Sequence, residues 1–390
     1  MTGHSRRGAW PEGATTPLVS PIQPSVVYTS DAPSTFDSVY EGEAAGYTYA
    51  REGHPNATVL SRRIAAMEGA GQGLVTGSGM AAVGAVLLGL LKAGDHVVGG
   101  DQLYGRSMRM MTGDLPRLGI ATSLADASDA GAVAGAMTDA TRLILVETVS
   151  NPTIRVADLA GLARLARKRG VLLAVDNTFT TPRALRPFEH GADIVIHSVT
   201  KLLAGHSDAT LGWVGTKDAA LMGAIEPFAV TLGLTPSPFD CWLAERGLLS
   251  FDLRYDRAEE NAAALARALR GMQGVVRVLY PTDPDHPDAA LAGVLLGNRG
   301  SHMVSFEIEG GREAAERLVR AVSDEIAFAP TLGDIGTTLS HPPSSSHRAM
   351  SEGARKAIGI SQGFFRVSAG CEEPGPLVDA FRRAIAAATG

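Results

Sequence analysis

Cysteine is scarce in this chain of 390 residues, which contains only Cys241 and Cys371. Neither thiol has histidine, acidic or further cysteine neighbours at a spacing that suits a metal ion, so no metal site is expected. This cysteine usage favours the reducing cytoplasm. Residues 1–10 carry charges but no apolar block, and a secretory signal is therefore not expected.

An excess of positive charge is also missing, because the formal net charge is −6 at pH 7. Because the chain has no excess of basic residues, we do not expect nucleic acid or an anionic membrane as its partner. We expect a small molecule or a second copy of the chain instead. Residues 73–91 lack charged side chains and approach the length of a membrane span. Gly77, Ser78 and Gly79 interrupt them, which indicates a turn followed by a buried helix.

The chain divides into three regions that differ in composition and in hydrophobic pattern. Residues 1–60 are rich in Pro, Gly, Ser and Thr, and we interpret them as an extended arm, a kind of segment that usually packs on another surface. Residues 61–250 alternate helical stretches with apolar runs, at 143–146, 172–175 and 194–196. Runs that are apolar on both faces indicate a mainly parallel sheet covered by helices on two sides.

The third region, residues 251–390, reads as a smaller α+β domain. It begins with a long helix over 257–270 and continues with an alternating strand, Met303–Ile308, a helix after Gly311, a strand near 364–367 and a final helix. The predicted fold class is therefore α/β, with a large mainly parallel sheet and a smaller C-terminal α+β domain.

Lys201 is the most informative residue, because it follows the apolar run Ile194-Val195-Ile196. A lysine at the end of a buried strand can form a Schiff base with an aldehyde cofactor. Period-two spacing puts Ser198 and Thr200 on one face of an extended segment, where both hydroxyls can donate to one phosphate. A polar strand end is the structural alternative.

Asp176 follows the neighbouring apolar run and can hold a cofactor ring nitrogen protonated. An opposite charge at hydrogen-bond distance is worth about 4 kcal/mol at an effective dielectric constant of about 20. A cap at the junction between strand and loop is the alternative. The turn Gly77-Ser78-Gly79 and the N-terminus of the helix that follows it could bind an anion. By itself such a short turn is weak support for an anion site.

Three further side chains suit the same kind of site. Tyr104 can lie against a flat ring or serve in packing. Arg51 can reach a phosphate from the arm. Arg366 can clamp a carboxylate with two hydrogen bonds, with a surface ion pair as the alternative.

Taken in order, the motifs resemble the Cys/Met-metabolism family of pyridoxal phosphate enzymes, which includes cystathionine γ-synthase, cystathionine lyases, methionine γ-lyase and homoserine-ester sulfhydrylases. The ordered set, rather than any one motif, makes the resemblance specific. The motifs are Tyr49-Ala50-Arg51, Ser78-Gly79-Met80-Ala81-Ala82, Tyr104-Gly105, Glu147-Thr148-Val149-Ser150-Asn151-Pro152, Val175-Asp176-Asn177-Thr178, Ser198-Val199-Thr200-Lys201, Gly205-His206-Ser207-Asp208, His341-Pro342 and Arg366-Val367-Ser368.

The resemblance implies the fold-type I architecture of PLP-dependent transferases and the cofactor pyridoxal 5'-phosphate (PLP). It also implies a dimer or tetramer with shared active sites. The implied roles are Lys201 as Schiff-base lysine and proton shuttle, Asp176 as partner of the ring nitrogen, Tyr104 as stacking and acid/base group, Asn151 near the ring hydroxyl, Gly79, Met80, Ser198 and Thr200 at the phosphate, Tyr49 and Arg51 reaching across from a second subunit, and Arg366 at the substrate carboxylate.

The part of the pattern that contacts the substrate departs from the family. Arg106 replaces a small residue or cysteine after Tyr104-Gly105, where a cation could meet an anionic substrate group or pair with an acid. Members that handle cystathionine carry a glutamate where this chain has Pro330-Thr331, and Thr331 is a predicted substrate contact. A buried ammonium without a partner is costly, which argues against ordinary cystathionine chemistry. The further departures are His54-Pro55-Asn56, Leu249 and Gly336.

The leading hypothesis is a trans-sulfuration lyase or transferase that performs γ-elimination or γ-replacement through a vinylglycine-type intermediate. Its substrate would be an L-amino acid with a leaving group at the γ carbon, of the O-acyl homoserine, methionine or S-adenosylmethionine type. β-Elimination from cystathionine or cysteine is the second hypothesis. A non-catalytic relative is the third, and retention of Lys201, Asp176 and Arg366 argues against it.

Overall fold

The computed structural model describes residues 14–390. The start of the predicted arm, including residues 1–10 on which the expected lack of a secretory signal rests, lies outside the described residues. The strands are β1 (Gln72–Thr76), β2 (His96–Gly100), β3 (Ala121–Ala125), β4 (Thr141–Glu147), β5 (Leu172–Asp176), β6 (Ile194–His197), β7 (Gly212–Thr216), β8 (Val275–Leu279), β9 (Met303–Ile308), β10 (Ala327–Phe328), β11 (Thr338–Ser340) and β12 (Phe364–Ser368).

Helices surround both sheets that these strands form. They are α1 (Pro33–Tyr40), α2 (Pro55–Glu68), α3 (Gly79–Leu90), α4 (Gly105–Arg109), α5 (Leu115–Arg117), α6 (Ala130–Ala136), α7 (Leu159–Arg169), α8 (Thr181–Ala184), α9 (Ala219–Thr231), α10 (Pro238–Leu248), α11 (Phe251–Arg270), α12 (Ala289–Leu295), α13 (Gly311–Val322), α14 (Glu352–Ala357) and α15 (Pro374–Thr389). Within residues 14–390, no helix is long and apolar enough to cross a membrane.

The larger sheet has seven strands in the order β1-β7-β6-β5-β4-β2-β3. Strands β2 to β6 pair in parallel, whereas β7 runs antiparallel to both β1 and β6. Along β4, Leu143 and Leu145 pack with α3, and Ile144 and Val146 pack with α7. Because both faces are buried, the strand appears in the sequence as an uninterrupted apolar run. The prediction of a mainly parallel sheet covered on both sides is confirmed.

The smaller sheet has five strands in the order β10-β11-β12-β9-β8. Its core contains Phe306, Phe365 and Phe381, packed with side chains from α11, α13 and α15. The predicted strand Met303–Ile308 is confirmed. The long helix begins at Phe251 rather than at residue 257. The division into 1–60, 61–250 and 251–390 stays a prediction.

Two local predictions were wrong. Residues 73–76 belong to an edge strand, β1, rather than to a turn, because the backbone of β7 is available beside them for pairing. The predicted arm is not wholly extended, since it contains α1 and the first turn of α2, and each of these helices starts with a proline. Proline suits the first helical position because its fixed φ is helical and its missing N–H would have no partner there.

Candidate active site

The candidate site lies where three parallel strands end side by side. In the register of the sheet, Glu147 at the end of β4 is paired with Asp176 at the end of β5. Asp176 is in turn paired with Ile196 on β6, after which the chain continues to Lys201. Open parallel sheets bind ligands at the carboxyl ends of their strands, so this edge is the expected place for a site.

A cradle for an anion lies next to these strand ends, at the first turn of α3. The Ser78 hydroxyl caps the helix by accepting a hydrogen bond from the Ala81 N–H at 3.1 Å. A Cβ on Gly79 would lie 2.7 Å from the Ser198 Cβ, so only glycine allows this approach. The N–H groups of Gly79 and Met80 lie in the first helical turn, where they have no intrahelical acceptor. Together with Ser198 they can surround a phosphate.

The segment that carries Ser198 and Thr200 is a turn, and the prediction of an extended segment was wrong. Strand β6 ends at His197, and the Lys201 N–H donates to the Ser198 carbonyl at 3.1 Å. The Thr200 hydroxyl donates to the Leu211 carbonyl at 3.1 Å and accepts from the Leu211 N–H at 2.9 Å. The structure therefore brings Ser198 to Gly79, while the Thr200 hydroxyl pairs with Leu211. Thr200 as a phosphate ligand stays a prediction.

The Lys201 amine lies in a desolvated, positively charged environment. Burial, followed by the positive charge of Arg366, lowers the pKa of Lys201 below its usual range. A Cβ on Gly333 would lie 2.9 Å from the Lys201 carbonyl carbon and 2.4 Å from the Leu202 nitrogen. Gly333 thus packs directly against the backbone of the lysine.

Arg366 extends from the smaller sheet into the same region, although it lies far from Lys201 in the sequence. Its guanidinium donates to the Asn151 side-chain oxygen at 2.8 Å and to the Thr331 carbonyl at 2.6 Å. Burial lowers the pKa of Arg366 to about 10. Its Nε is buried without a hydrogen-bond partner among the described residues. The alternative of a surface ion pair for Arg366 is therefore wrong.

Asp176 and Glu147 form a pair of neighbouring carboxyl groups. The Asp176 carboxylate accepts from the Thr178 N–H at 3.0 Å and from the Thr178 hydroxyl at 2.5 Å. Burial raises the pKa of Asp176, while these hydrogen bonds and the charge of His197 oppose the shift. Burial, followed by the negative charge of Asp176, raises the pKa of Glu147 well above its usual range.

Glu147 is the residue that sequence reasoning missed, since it was quoted only as part of a motif. Its carboxylate accepts from the backbone N–H of Tyr104 at 2.5 Å and of Asn151 at 3.2 Å. It therefore connects the two residues expected to lie beside the cofactor ring. Its position at a strand end, like that of Asp176, was the available signal.

Four predicted residues lie at exposed positions. Tyr104 is 40% exposed, and Arg106 is exposed at the start of α4 without an ion pair among the described residues. The Arg51 guanidinium lies 5.2 Å from the centre of the Tyr49 ring. In residues 14–390, no hydrogen bond or ion pair connects Tyr49 or Arg51 with Lys201, Asp176 or Arg366.

The residues present suit PLP on three grounds. The lowered pKa of Lys201 favours the uncharged amine, which is the form that attacks an aldehyde. The close approach of Gly79 and Ser198 leaves helical N–H groups for a phosphate. The unpaired Nε of Arg366 is an available donor for a carboxylate. The fold and this site define a PLP-dependent enzyme of fold type I.

Comparison with known proteins identifies the family. The family model described as Cys/Met metabolism PLP-dependent enzyme matches residues 2–386. Cystathionine beta-lyase from Bacillus subtilis is 38% identical over 90% of this chain and 89% of its own length. L-methionine gamma-lyase from Pseudomonas putida is 35% identical over 95% of this chain and 93% of its own.

Solved structures agree with these relatives. Cystathionine gamma synthase from Xanthomonas oryzae pv. oryzae, in complex with cystathionine, superposes with a TM-score of 0.89 at 36% identity, over 95% of this chain and 93% of that one. The chain belongs to the Cys/Met metabolism family of PLP-dependent enzymes, and its cofactor is pyridoxal 5'-phosphate. It is a trans-sulfuration family enzyme that acts on an amino-acid substrate.

Proposed function

We propose that this enzyme eliminates or replaces a group at the γ carbon of an L-amino acid, of the O-acyl homoserine, methionine or S-adenosylmethionine type. The observation that carries this proposal is the wall formed by residues 330–333. In this wall Gly333 packs against the backbone of Lys201 and the Thr331 carbonyl accepts a hydrogen bond from Arg366, yet residues 330–333 contain no carboxylate. The distal ammonium of cystathionine would have no partner there, at a substantial desolvation cost.

The acid that follows this wall in the chain is already engaged. Asp334 accepts a hydrogen bond from the Ser207 hydroxyl at 2.5 Å and from the Gly336 N–H at 2.8 Å. Its carboxylate is therefore held by the 205–208 loop and by its own turn. An ester, thioether or sulfonium leaving group suits such a wall better than a second amino-acid head group.

Each side chain of the site has its own role in the proposed reaction. PLP, when bound, draws electrons from the α carbon of the amino acid that is attached to it. Arg366 holds the substrate carboxylate through its free Nε and the N–H groups now donated to Asn151 and Thr331. The Lys201 Nζ would take the proton from the α carbon, pass it on to the bound cofactor and, uncharged again, take one from the β carbon, and the electron pair left at the β carbon would expel the γ substituent. Burial and the charge of Arg366 favour the uncharged amine that these proton transfers require.

We also propose that the enzyme works as a dimer, or as a tetramer of paired dimers, with Tyr49 and Arg51 completing the site of the neighbouring subunit. The exposed apolar side chains of the arm support this proposal, namely Leu18, Val19, Ile22, Val26 and Val27. Apolar side chains clustered on an exposed segment mark an interaction surface. Light scattering gives the subunit number, and a monomer at micromolar concentration would contradict the proposal.

A substrate panel tests the reaction. O-Acetylhomoserine, methionine, S-adenosylmethionine and cystathionine are supplied separately, with and without an added thiol, and the 2-oxo acids and ammonia are identified. γ-Elimination produces 2-oxobutanoate, whereas β-elimination produces pyruvate. If pyruvate alone appears, the γ assignment is wrong and the enzyme is a β-lyase. Lys201→Ala serves as the inactive control.

A further inference from the structure

The long helix α11 connects the two apolar cores that flank the candidate site. Its first turns share a core with Leu202, which directly follows Lys201. Its last turns share a core with Phe365, which directly precedes Arg366. The helix therefore runs from the core beside the lysine to the core beside the arginine.

Two polar side chains, Arg254 and Asn261, lie buried on this helix. They are seven residues apart. Two helical turns therefore place them on one face, about 10 Å apart along the helix axis. A guanidinium or an amide in such a place is costly unless it is hydrogen-bonded. Apolar side chains would serve core packing at a lower cost, which indicates that this face of α11 has a further role.

The Arg254 guanidinium caps the turn that carries Lys201. It donates to the carbonyls of Leu202 at 2.8 Å and Leu203 at 3.2 Å. It also donates, at 2.8 Å, to a carbonyl in the last turn of α10. A Cβ on Gly205, whose φ is +79°, would lie 1.9 Å from the guanidinium Nη1, so only glycine allows this approach. One cation therefore holds the backbone of the two residues that follow Lys201.

The Asn261 amide holds the segment that follows β12, the strand of Arg366. It donates to the carbonyls of Gly370 at 2.9 Å and Glu372 at 2.7 Å. Its side-chain oxygen is buried without a hydrogen-bond partner among the described residues. A leucine of similar shape would avoid the cost of that oxygen, so the contribution of the asparagine is its two donated hydrogen bonds.

We propose that Arg254 and Asn261 are positioning residues, through which α11 sets the distance between Lys201 and Arg366. A helix has a fixed rise per residue and is therefore a stiff spacer. The amino group and the carboxylate of an amino acid are attached to the same carbon, so the cofactor on one side and Arg366 on the other must be correctly spaced to bind both. The inference rests on the proposed assignments of Lys201 to PLP and of Arg366 to the substrate carboxylate.

Arg254→Met tests the lysine end of the helix, because methionine keeps an unbranched apolar stem and removes the hydrogen bonds to the turn. Cofactor-free protein is titrated with PLP, and the Kd is obtained from the visible absorbance of the bound cofactor. We expect the Kd to rise about tenfold, as the loss of about one hydrogen bond to a charged group would cause.

Tyr280→Phe is the matched control, because it removes another buried hydrogen bond to a backbone carbonyl, that of Ser301 at 3.1 Å, away from the Lys201 turn and β12. It should lower the unfolding temperature without a change in the Kd for PLP. If Arg254→Met likewise leaves this Kd unchanged, its role is structural and the inference is wrong.

Asn261→Leu tests the arginine end. PLP-loaded protein is titrated with L-norvaline, which has no leaving group at the γ carbon, and with butylamine, which is the same molecule without its carboxylate. Changes in the visible absorbance of the cofactor give both Kd values. We expect the Kd for norvaline to rise about tenfold, while the Kd values for butylamine and for PLP stay unchanged, because only norvaline has a carboxylate for Arg366. An equal loss for norvaline and butylamine would overturn the inference.

Two further variants separate the inference from the assignments on which it rests. If Lys201→Ala keeps the visible absorbance, the assignment of Lys201 is wrong, irrespective of Arg254. If Arg366→Met leaves the ratio of the norvaline and butylamine Kd values unchanged, the assignment of Arg366 is wrong, irrespective of Asn261. In the Arg366→Met background, Asn261→Leu should weaken norvaline binding no further, and additive losses would contradict the positioning role.

Second variants keep the test available should Arg254→Met or Asn261→Leu fail to fold. Arg254→Lys retains the charge but lacks the planar fork that donates to two neighbouring carbonyls. Asn261→Ser retains a hydroxyl donor on a shorter side chain. The same directions of change are expected for both, and unchanged Kd values would again show that the inference is wrong.

Discussion

Replacing His302 with phenylalanine should make the folded protein more resistant to acid by about 2 kcal/mol between pH 7 and pH 5. His302 is fully buried, and its ring lies edge-on to Phe179 at 6.2 Å and to Tyr255 at 6.4 Å between centres. A phenyl ring can keep both contacts. Of the two side chains, only histidine can take up a proton.

The magnitude follows from the pKa of His302 in the two states. Burial, followed by the positive charge of Arg366, lowers the pKa from the ordinary value of 6.5 to about 3 in the folded chain. As the pH falls from 6.5 towards 3, the unfolded state gains a proton that the folded state does not, so stability is lost over this range. From these two values the loss is about 2 kcal/mol at pH 5 and about 0.2 kcal/mol at pH 7.

Urea unfolding of the cofactor-free protein at pH 7 and pH 5, followed by tryptophan fluorescence, measures this difference. The effect of the phenyl ring on packing is the same at both pH values. It therefore cancels when the difference in unfolding free energy at pH 7 is subtracted from the difference at pH 5. His347, whose pKa burial lowers to about 4, destabilises both proteins equally in acid and also cancels. Tyr255→Phe is the control, because it removes no group that titrates between pH 5 and 7. If the difference in unfolding free energy between His302→Phe and the wild type is the same at both pH values, the reasoning is refuted.

The other predictions concern catalysis and assembly. Lys201→Ala should lose turnover and the visible absorbance of lysine-bound cofactor; persistent absorbance would mean that another group holds PLP. Arg106→Gly should change the relative kcat/KM values across the substrate panel while the Kd for PLP is retained, and unchanged ratios would remove Arg106 from the pocket. Mixed Arg51→Ala and Lys201→Ala subunits should recover about a quarter of wild-type activity, because half of random dimers have one intact site of two. No recovery would contradict shared sites.

Three strands of the large sheet, β4, β5 and β6, were predictable because each forms an apolar run between helices on both faces. Their apolar runs coincide with β4, β5 and β6 to within one or two residues. Strands β2, β3, β7, β8 and β11 were not predicted. The edge strand β1 and the two-residue strand β10 were also missed, since neither forms an unbroken buried run. Their extended conformation depends on β7 and β11, which are available only after the chain has folded.

Some residues of the site could likewise be predicted from the sequence, and others could not. Lys201 and Asp176 could be proposed from the sequence because each directly follows an apolar run. Glu147 could not be given a role, since one of its partners, the Tyr104 N–H, lies 43 residues away. The pairing of Glu68 with His197 spans 129 residues and has no local signal at all. Contacts of this kind are decided by the topology of the sheet.

By itself the sequence determined the chemical inventory and its order: a lysine, an aspartate and a glycine-rich turn beside buried strands, and an arginine near the end of the chain. Tertiary structure alone decided which groups meet and how each holds its protons. Arg366 reaches Asn151 from a different sheet, and the pKa shifts of Lys201, Asp176 and Glu147 are due first to burial. The physical reason is that desolvation and charge proximity depend on distances in space, which spacing along the chain does not encode.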